Sequence, residues 1–284
     1  MRGFQLFRAR DSRHAIELLA QHGPEARLLA GGTDLLVELK SAARAPRIVI
    51  DISRAADLKS ITLSDRGLEI GALATHAEIE RRDLVRNMLP ALAESVHSIG
   101  AVQTRNLGTL GGNLVSGVPS MDSGPALMAL DASVILAGPR GERHMTLGEF
   151  FVAPRRTALA ADELLTAILV PKASLGKPAA FLKLGLRKGQ ALALVNVAAS
   201  AWLDSGVLKQ PRIALGAVAP TVIRAPLAER YLDGRSITAE TLAEAGRIAA
   251  GEAAPISDFR ASAEYRREMI AVLTRRALQR CLTL

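Results

Sequence analysis

Leu28-Leu29-Ala30-Gly31-Gly32-Thr33-Asp34-Leu35 and, further along, Thr109-Leu110-Gly111-Gly112-Asn113-Leu114 are the two stretches on which the reading of this chain turns. Each presents consecutive glycines followed by a small polar residue, and each follows a segment that reads as extended and apolar. Glycine tolerates positive φ and has no Cβ to block a ligand. Several N–H groups can then converge on one anion. The first loop also opens a helix-like stretch, residues 34–40, whose N-terminal end favours negative charge. Two such loops, each at the end of a strand, predict two clamps on one diphosphate. Neither has the Gly-x-Gly-x-x-Gly spacing of a Rossmann turn or the lysine of a P-loop.

Outward from the first loop, Ala15, Ile16, Leu18 and Leu19 give residues 12–22 the pattern of an amphipathic helix. Residues 26–29 and 47–52 read as short buried strands, so residues 1–55 form a βαβ-like lobe. Around the second loop, residues 68–72, 133–137 and 164–170 read as strands. Thr75 with Glu78 and Thr146 with Glu149 are capping boxes, and Pro90 starts a helix to about residue 98. The polar, small-residue segment 116–125 lies between buried elements, as functional loops often do. Its Asp122 serves either ligand hydroxyls or as a helix N-cap.

The break at residues 172–178 predicts a boundary between a region 1–175, with lobes 1–55 and 56–175, and a region 176–284. Beyond it, residues 179–183, 195–203 and 211–217 read as a three-stranded meander. Thr238 caps a helix to about residue 250, and a final helix runs from Ser262 to about residue 280. The expected class is α+β.

The chain has 284 residues, 49% of them hydrophobic, enough for one large core or two modest ones. No apolar run reaches the roughly 18 residues of a membrane span, and the first residues lack the pattern of a signal peptide. A cytoplasmic location is expected. The single cysteine, Cys281, allows neither an internal disulfide nor a cysteine-ligated cluster. The net charge is +8, but basic residues are scattered, aromatics are only 3%, and no nucleic-acid motif is present. An acidic protein partner or an anionic cofactor suits the charge better. The five histidines have no metal-ligand spacing and read as surface or capping residues. His76 is the exception to watch, at a helix start close to a strand end. Trp202 is expected in the core of the second region.

The segments 28–36 (LLAGGTDLL), 99–114 (IGAVQTRNLGTLGGNL) and 217–224 (AVAPTVIR), with the closing stretch Asp258-Phe259-Arg260-Ala261-Ser262 and Tyr265-Arg266-Arg267, resemble the FAD-binding medium subunits of the molybdenum hydroxylases, the xanthine dehydrogenase and carbon monoxide dehydrogenase family. The resemblance runs over nearly the whole chain. It implies a two-lobed FAD-binding domain of the vanillyl-alcohol-oxidase (PCMH) type, followed by a small α+β domain with a three-stranded sheet and helices.

By position, the resemblance implies that Leu29, Ala30, Gly31, Gly32, Thr33, Asp34 and Leu35 cradle the FAD diphosphate from one lobe. Thr109, Gly111, Gly112 and Asn113 do so from the other. Ile99 and Gly100 lie near the cofactor, Asp122 meets its ribityl or ribose hydroxyls, Leu165 approaches the flavin ring, and Lys183 sits near the polar edge of that ring. On residue type alone, Lys183 reads as surface on a strand edge. A cysteine-rich insertion that holds an extra iron–sulfur cluster in some relatives is absent between Asn113 and Pro125. The aromatic residue that some relatives place over the flavin is missing from Lys188-Gly189-Gln190-Ala191-Leu192.

The function so implied is an oxidoreductase subunit that transfers electrons through FAD and holds no catalytic residue or metal of its own. The molybdenum cofactor would reside in a large subunit and two [2Fe-2S] clusters in a small one, within a dimer of heterotrimers that reduces an external acceptor. Residues 104–106 are candidates to face the iron–sulfur subunit. The alternative is a stand-alone FAD-dependent oxidase or reductase of the same fold.

Overall fold

Three sheets, each with its own helices, organise the chain. The computed structural model describes residues 3–41 and 46–282. The first sheet comes from β1 (Gln5–Arg8), α1 (Ser12–His22), β2 (Ala26–Leu29), α2 (Leu35–Lys40) and β3 (Ile48–Asp51). Its order is β1-β3-β2, parallel throughout. The βαβ reading holds, but it lacked β1. That strand carries little buried apolar surface, so its pairing with β3 defines it rather than its side-chain pattern. Asp11 accepts from the N–H of His14 at 2.8 Å to start α1, and Leu18 and Leu19 pack on Ile48 and Ile50.

The second body opens with β4 (Ile61–Ser64) and β5 (Gly67–Gly71), then α3 (His76–Arg81), α4 (Asp83–Met88), α5 (Pro90–His97), α6 (Val102–Leu107), α7 (Leu110–Ser116) and α8 (Ser123–Met128). It closes with β6 (Ser133–Gly138), β7 (Gly141–Thr146), α9 (Leu147–Phe150), β8 (Phe151–Ala153), β9 (Arg156–Thr157) and β10 (Leu164–Pro171). The five-stranded sheet has the order β4-β5-β10-β6-β7 and is antiparallel. Both capping boxes form as predicted.

The second glycine pair departs from the sequence reading. It does not follow a strand. It lies in the first turn of α7, directly after α6. The apolar residues Val102 and Leu107 of this segment face outward at 56% and 60% exposure.

The third body contains β11 (Ala179–Gly185), β12 (Ala193–Asp204), β13 (Val207–Gly216), β14 (Ile223–Arg224), α10 (Pro226–Leu232), α11 (Ala239–Glu252) and α12 (Ala263–Leu282). The predicted three-stranded meander is present, with the two-residue β14 added at its edge. Val195, Val197 and Ala199 of β12 pack against α11 and α12, while Ala198 joins the core of the second body. With both faces covered, β12 shows no alternation of buried and exposed residues along most of its length. Trp202 is not core as expected: it is half-buried near the sheet end, opposite Lys209. Among the described residues no helix is long and apolar enough to cross a membrane.

Candidate functional site

A cleft of about 540 Å³ separates the first sheet from the second body. Ala30, Gly31, Gly32, Thr33, Asp34 and Leu35 line one wall. Thr109, Gly111, Gly112 and Asn113 line the other, with Ile99 and Leu165. The fold therefore brings together twelve positions that the sequence singled out. Leu29, Gly100, Asp122 and Lys183 stand outside the lining.

Gly31 is required by a close approach. A Cβ built there would overlap the carbonyl oxygen of Leu107, so the first loop rests on the α6–α7 junction. Gly32 adopts φ +73°, the left-handed region that glycine enters freely. Among the described residues, the N–H groups of Gly31, Gly32, Thr33, Asp34 and Leu35 find no protein acceptor. A run of free amides beside a cleft is what an anion needs. Ser116 donates to Asp34 Oδ2 at 2.6 Å and ties α7 to this loop.

The second loop is built differently from the first. The N–H of Leu110 donates to Ala74 O at 3.0 Å and that of Gly111 to Ala72 O at 2.9 Å. The N–H of Gly112 donates to the Thr109 hydroxyl at 3.1 Å. Thr109 is thus an N-cap. Its loop offers the cleft side chains and a close-packed wall, while the first loop offers the amides.

Asp122 and Lys183, outside the lining of this cleft, meet each other. Lys183 is buried, contrary to the surface reading, and its ammonium pairs with Asp122 and donates to Ser98 O at 3.1 Å. Asn196 donates to Asp122 Oδ1 at 2.8 Å, and Ser98 donates to Oδ2 at 3.1 Å. Asp122 occupies the N-cap position of α8, but its side chain makes no cap bond. Burial pushes its carboxyl above the usual range, against the pull of Lys183, Asn196 and Ser98. Beside this pair the carbonyl of Gly100, itself at φ +54°, accepts from the N–H of Gln190 at 3.2 Å. The 188–192 loop thereby closes against the end of α5.

His76 was flagged by sequence but given no role. It is 2% exposed and lines the cleft. Burial, and then the nearby Arg105, lower its pKa to about 4, with Asp34 acting in the opposite sense. The ring is therefore neutral near pH 7. The other histidines are not in the cleft lining: His22 stacks on Phe7, and His97 and His144 pair with Glu80 and Glu142. Arg105 donates to Glu80 at 3.0 Å and to Ile99 O at 3.1 Å. No cluster of metal-ligating side chains occurs among the described residues.

Two lobes that close a glycine-walled, amide-bearing cleft, with a separate antiparallel sheet in the third body, define a nucleotide-cofactor domain with an appended α+β body. Residues 2–173 match the family model of the FAD binding domain in molybdopterin dehydrogenase, and residues 180–281 match the CO dehydrogenase flavoprotein C-terminal domain. The chain belongs to this family of FAD-binding flavoproteins. It is 34% identical to the xanthine dehydrogenase FAD-binding subunit of Escherichia coli O157:H7, over 95% of this chain and 93% of that one. It is 33% identical to the carbon monoxide dehydrogenase medium chain of Hydrogenophaga pseudoflava, over 93% and 92%. A solved structure of carbon monoxide dehydrogenase from that organism superposes with a TM-score of 0.95, covering 99% of this chain and 98% of its counterpart. Quinoline 2-oxidoreductase from Pseudomonas putida 86 superposes with a TM-score of 0.93 at 28% identity, covering 99% and 98%. The cofactor is FAD. The free amides of the first loop and an unpaired buried nitrogen on His76 suit its diphosphate.

Proposed function

We infer that this chain is the FAD-carrying electron-transfer subunit of a molybdenum-containing hydroxylase or dehydrogenase. The observation that carries the reading is the row of unpaired amides at residues 31–35, set on the seam between two lobes. When bound, FAD supplies the redox chemistry, taking electrons from a [2Fe-2S] subunit and releasing them to an external acceptor.

The chain's own residues bind and orient. The amides of Gly31 to Leu35 hold the diphosphate, and Thr109 and Asn113 face it from α7. Leu165, buried on β10, supplies an apolar surface for the ring. From outside the cleft lining, Lys183 directs the positive end of its pair with Asp122 toward the ring's polar edge, where it would stabilise the reduced anion, with Asp122 and Ser98 fixing its position. No aromatic residue lies in the 188–192 loop to shield the ring, so an aliphatic side chain covers that face or it stays open to an acceptor.

The partners are a large molybdenum-cofactor subunit and a small [2Fe-2S] subunit, in a dimer of heterotrimers located in the cytoplasm. The domains divide at residues 175 and 176. Relatives that span nearly the same length bear the names of subunits or chains of dehydrogenases, which supports this assignment.

The test is purification from the native host under conditions that keep complexes intact. A flavin spectrum with iron–sulfur absorption and two co-purifying chains is expected. A flavin-free chain that purifies alone overturns the reading.

A further inference from the structure

His76 holds a buried nitrogen with nothing to bind. Its Nδ1 is shut off from solvent and has no hydrogen-bond partner, although the ring borders the cleft. Polar atoms left unpaired inside a fold are rare, because an unmade bond costs stability. Those that persist at a ligand cleft are commonly completed by the ligand.

The position of the ring is fixed from several sides. Thr75 caps α3 and places His76 at its first residue. The backbone N–H of His76 donates to Gly108 O at 3.0 Å. A Cβ built on Gly108 would lie 3.2 Å from His76 Cδ2 and 3.5 Å from Nε2, so the ring packs directly on this glycine. Gly31 of the first loop packs against Leu107 and Gly108 from its own lobe. The imidazole therefore borders the seam where the two glycine segments meet. The charged groups that act on it are Arg105 of α6 and Asp34 of the first loop. Arg105 is itself paired with Glu80 of α3.

We propose that His76 is a binding residue for the diphosphate of the cofactor: its imidazole, which borders the lobe seam with a nitrogen unpaired, hydrogen-bonds the anion once it is seated. The proposal rests on the reading of this cleft as the FAD site. A neutral ring donates one hydrogen bond without adding a full charge beside Arg105. The bound anion favours the protonated ring, so its pKa is higher in the complex than in the free protein. Binding then tightens as pH falls through the pKa of the complex, and loses that gain above it.

The experiment is a titration of the flavin-depleted full-length chain between pH 5 and pH 8 with FAD and with ADP-ribose, which carries the same doubly esterified, non-titrating diphosphate without the flavin. The wild type is expected to bind both more tightly at pH 5 than at pH 8. His76→Leu weakens both by about tenfold, the worth of one hydrogen bond, and abolishes the pH dependence. His76→Gln, which keeps a donor but cannot titrate, binds within about threefold of wild type at pH 8 and shows no pH dependence. Melting curves establish that each variant folds, and the glutamine variant carries the test if the leucine variant does not. Wild-type affinity and wild-type pH dependence in either folded variant overturn the role of His76 alone. Failure of the wild-type chain to take up either FAD or ADP-ribose overturns the cleft reading with it.

Discussion

Lys183 on β11 and Asp122 in the loop before α8, 61 residues apart in sequence, form a buried ion pair that joins the third body to the second. Asn196 on β12 adds a third anchor to the same carboxylate. Removing one member of a buried, hydrogen-bonded pair leaves the other charge uncompensated and typically costs about 3–5 kcal/mol. Lys183→Met is expected to lose stability on that order. Adding Asp122→Asn restores part of the loss. Urea unfolding of both single variants and the double variant measures the coupling, and simple additivity would show that the two residues act independently.

Gly31→Ala tests the seam. The added methyl must displace the Leu107 carbonyl, a backbone atom that cannot swing aside. A loss of about 1–3 kcal/mol is expected for such overpacking, together with weaker FAD uptake. Gly251→Ala in α11 is the control. Nothing lies within 4 Å of its added Cβ and its φ is not positive, so it gains about 0.5–1 kcal/mol from helix propensity. Thermal melts with and without FAD separate the two outcomes.

Asp258 should make the closing segment acid-sensitive. Arg260 holds its carboxyl well below the usual range, with Arg266 assisting. Arg266 is itself 1% exposed and braces Leu194 O at 2.6 Å. A carboxyl depressed in the folded state contributes stability above its unfolded pKa, about 3.9, and loses it as pH falls further. Asp258→Asn is expected to be less stable than wild type at pH 7 and to show a smaller decline between pH 4 and pH 2. Chemical denaturation at a series of pH values reads this directly, and parallel curves would refute it.

Lys177 presents the opposite sign. Burial lowers its ammonium to about 8, with Arg212 contributing, and Nζ donates to Gln210 O at 2.6 Å. Between pH 8 and about 10.4 the unfolded chain binds more protons than the folded one, so stability rises with pH across that window. Lys177→Met should abolish the rise and increase the Tm at pH 7, since Gln210 is exposed and water can take over its carbonyl. An unchanged pH slope in the methionine variant would rule out Lys177 as its source.

The legible parts of this chain were those governed by neighbours in sequence. The capping boxes at Thr75 and Thr146 formed because both partners of each lie within one helical turn. The hairpin at residues 138–141 and the long strand β10 followed from turn residues and an apolar run. β1 escaped notice because most of its side chains stay exposed and a backbone ladder to β3 defines it. The helix Val102–Leu107 escaped notice because its apolar residues point outward.

The sequence by itself determined the α+β class, most of the elements and the two glycine loops that face the cleft, because glycine pairs, caps and apolar periodicity act locally, while Ile99 and Leu165 came only from the family resemblance. Only the tertiary structure decided how those residues are used. Ala72 and Ala74 take the amides of the second loop, so the first loop alone keeps its amides free. Lys183 turns inward to Asp122 instead of to solvent, and His76 is buried at the lobe seam with a nitrogen unpaired. Each of these depends on an acceptor, a charge or a covering surface brought from a distant part of the chain. Hydrogen bonding and desolvation of that kind leave no local pattern to read.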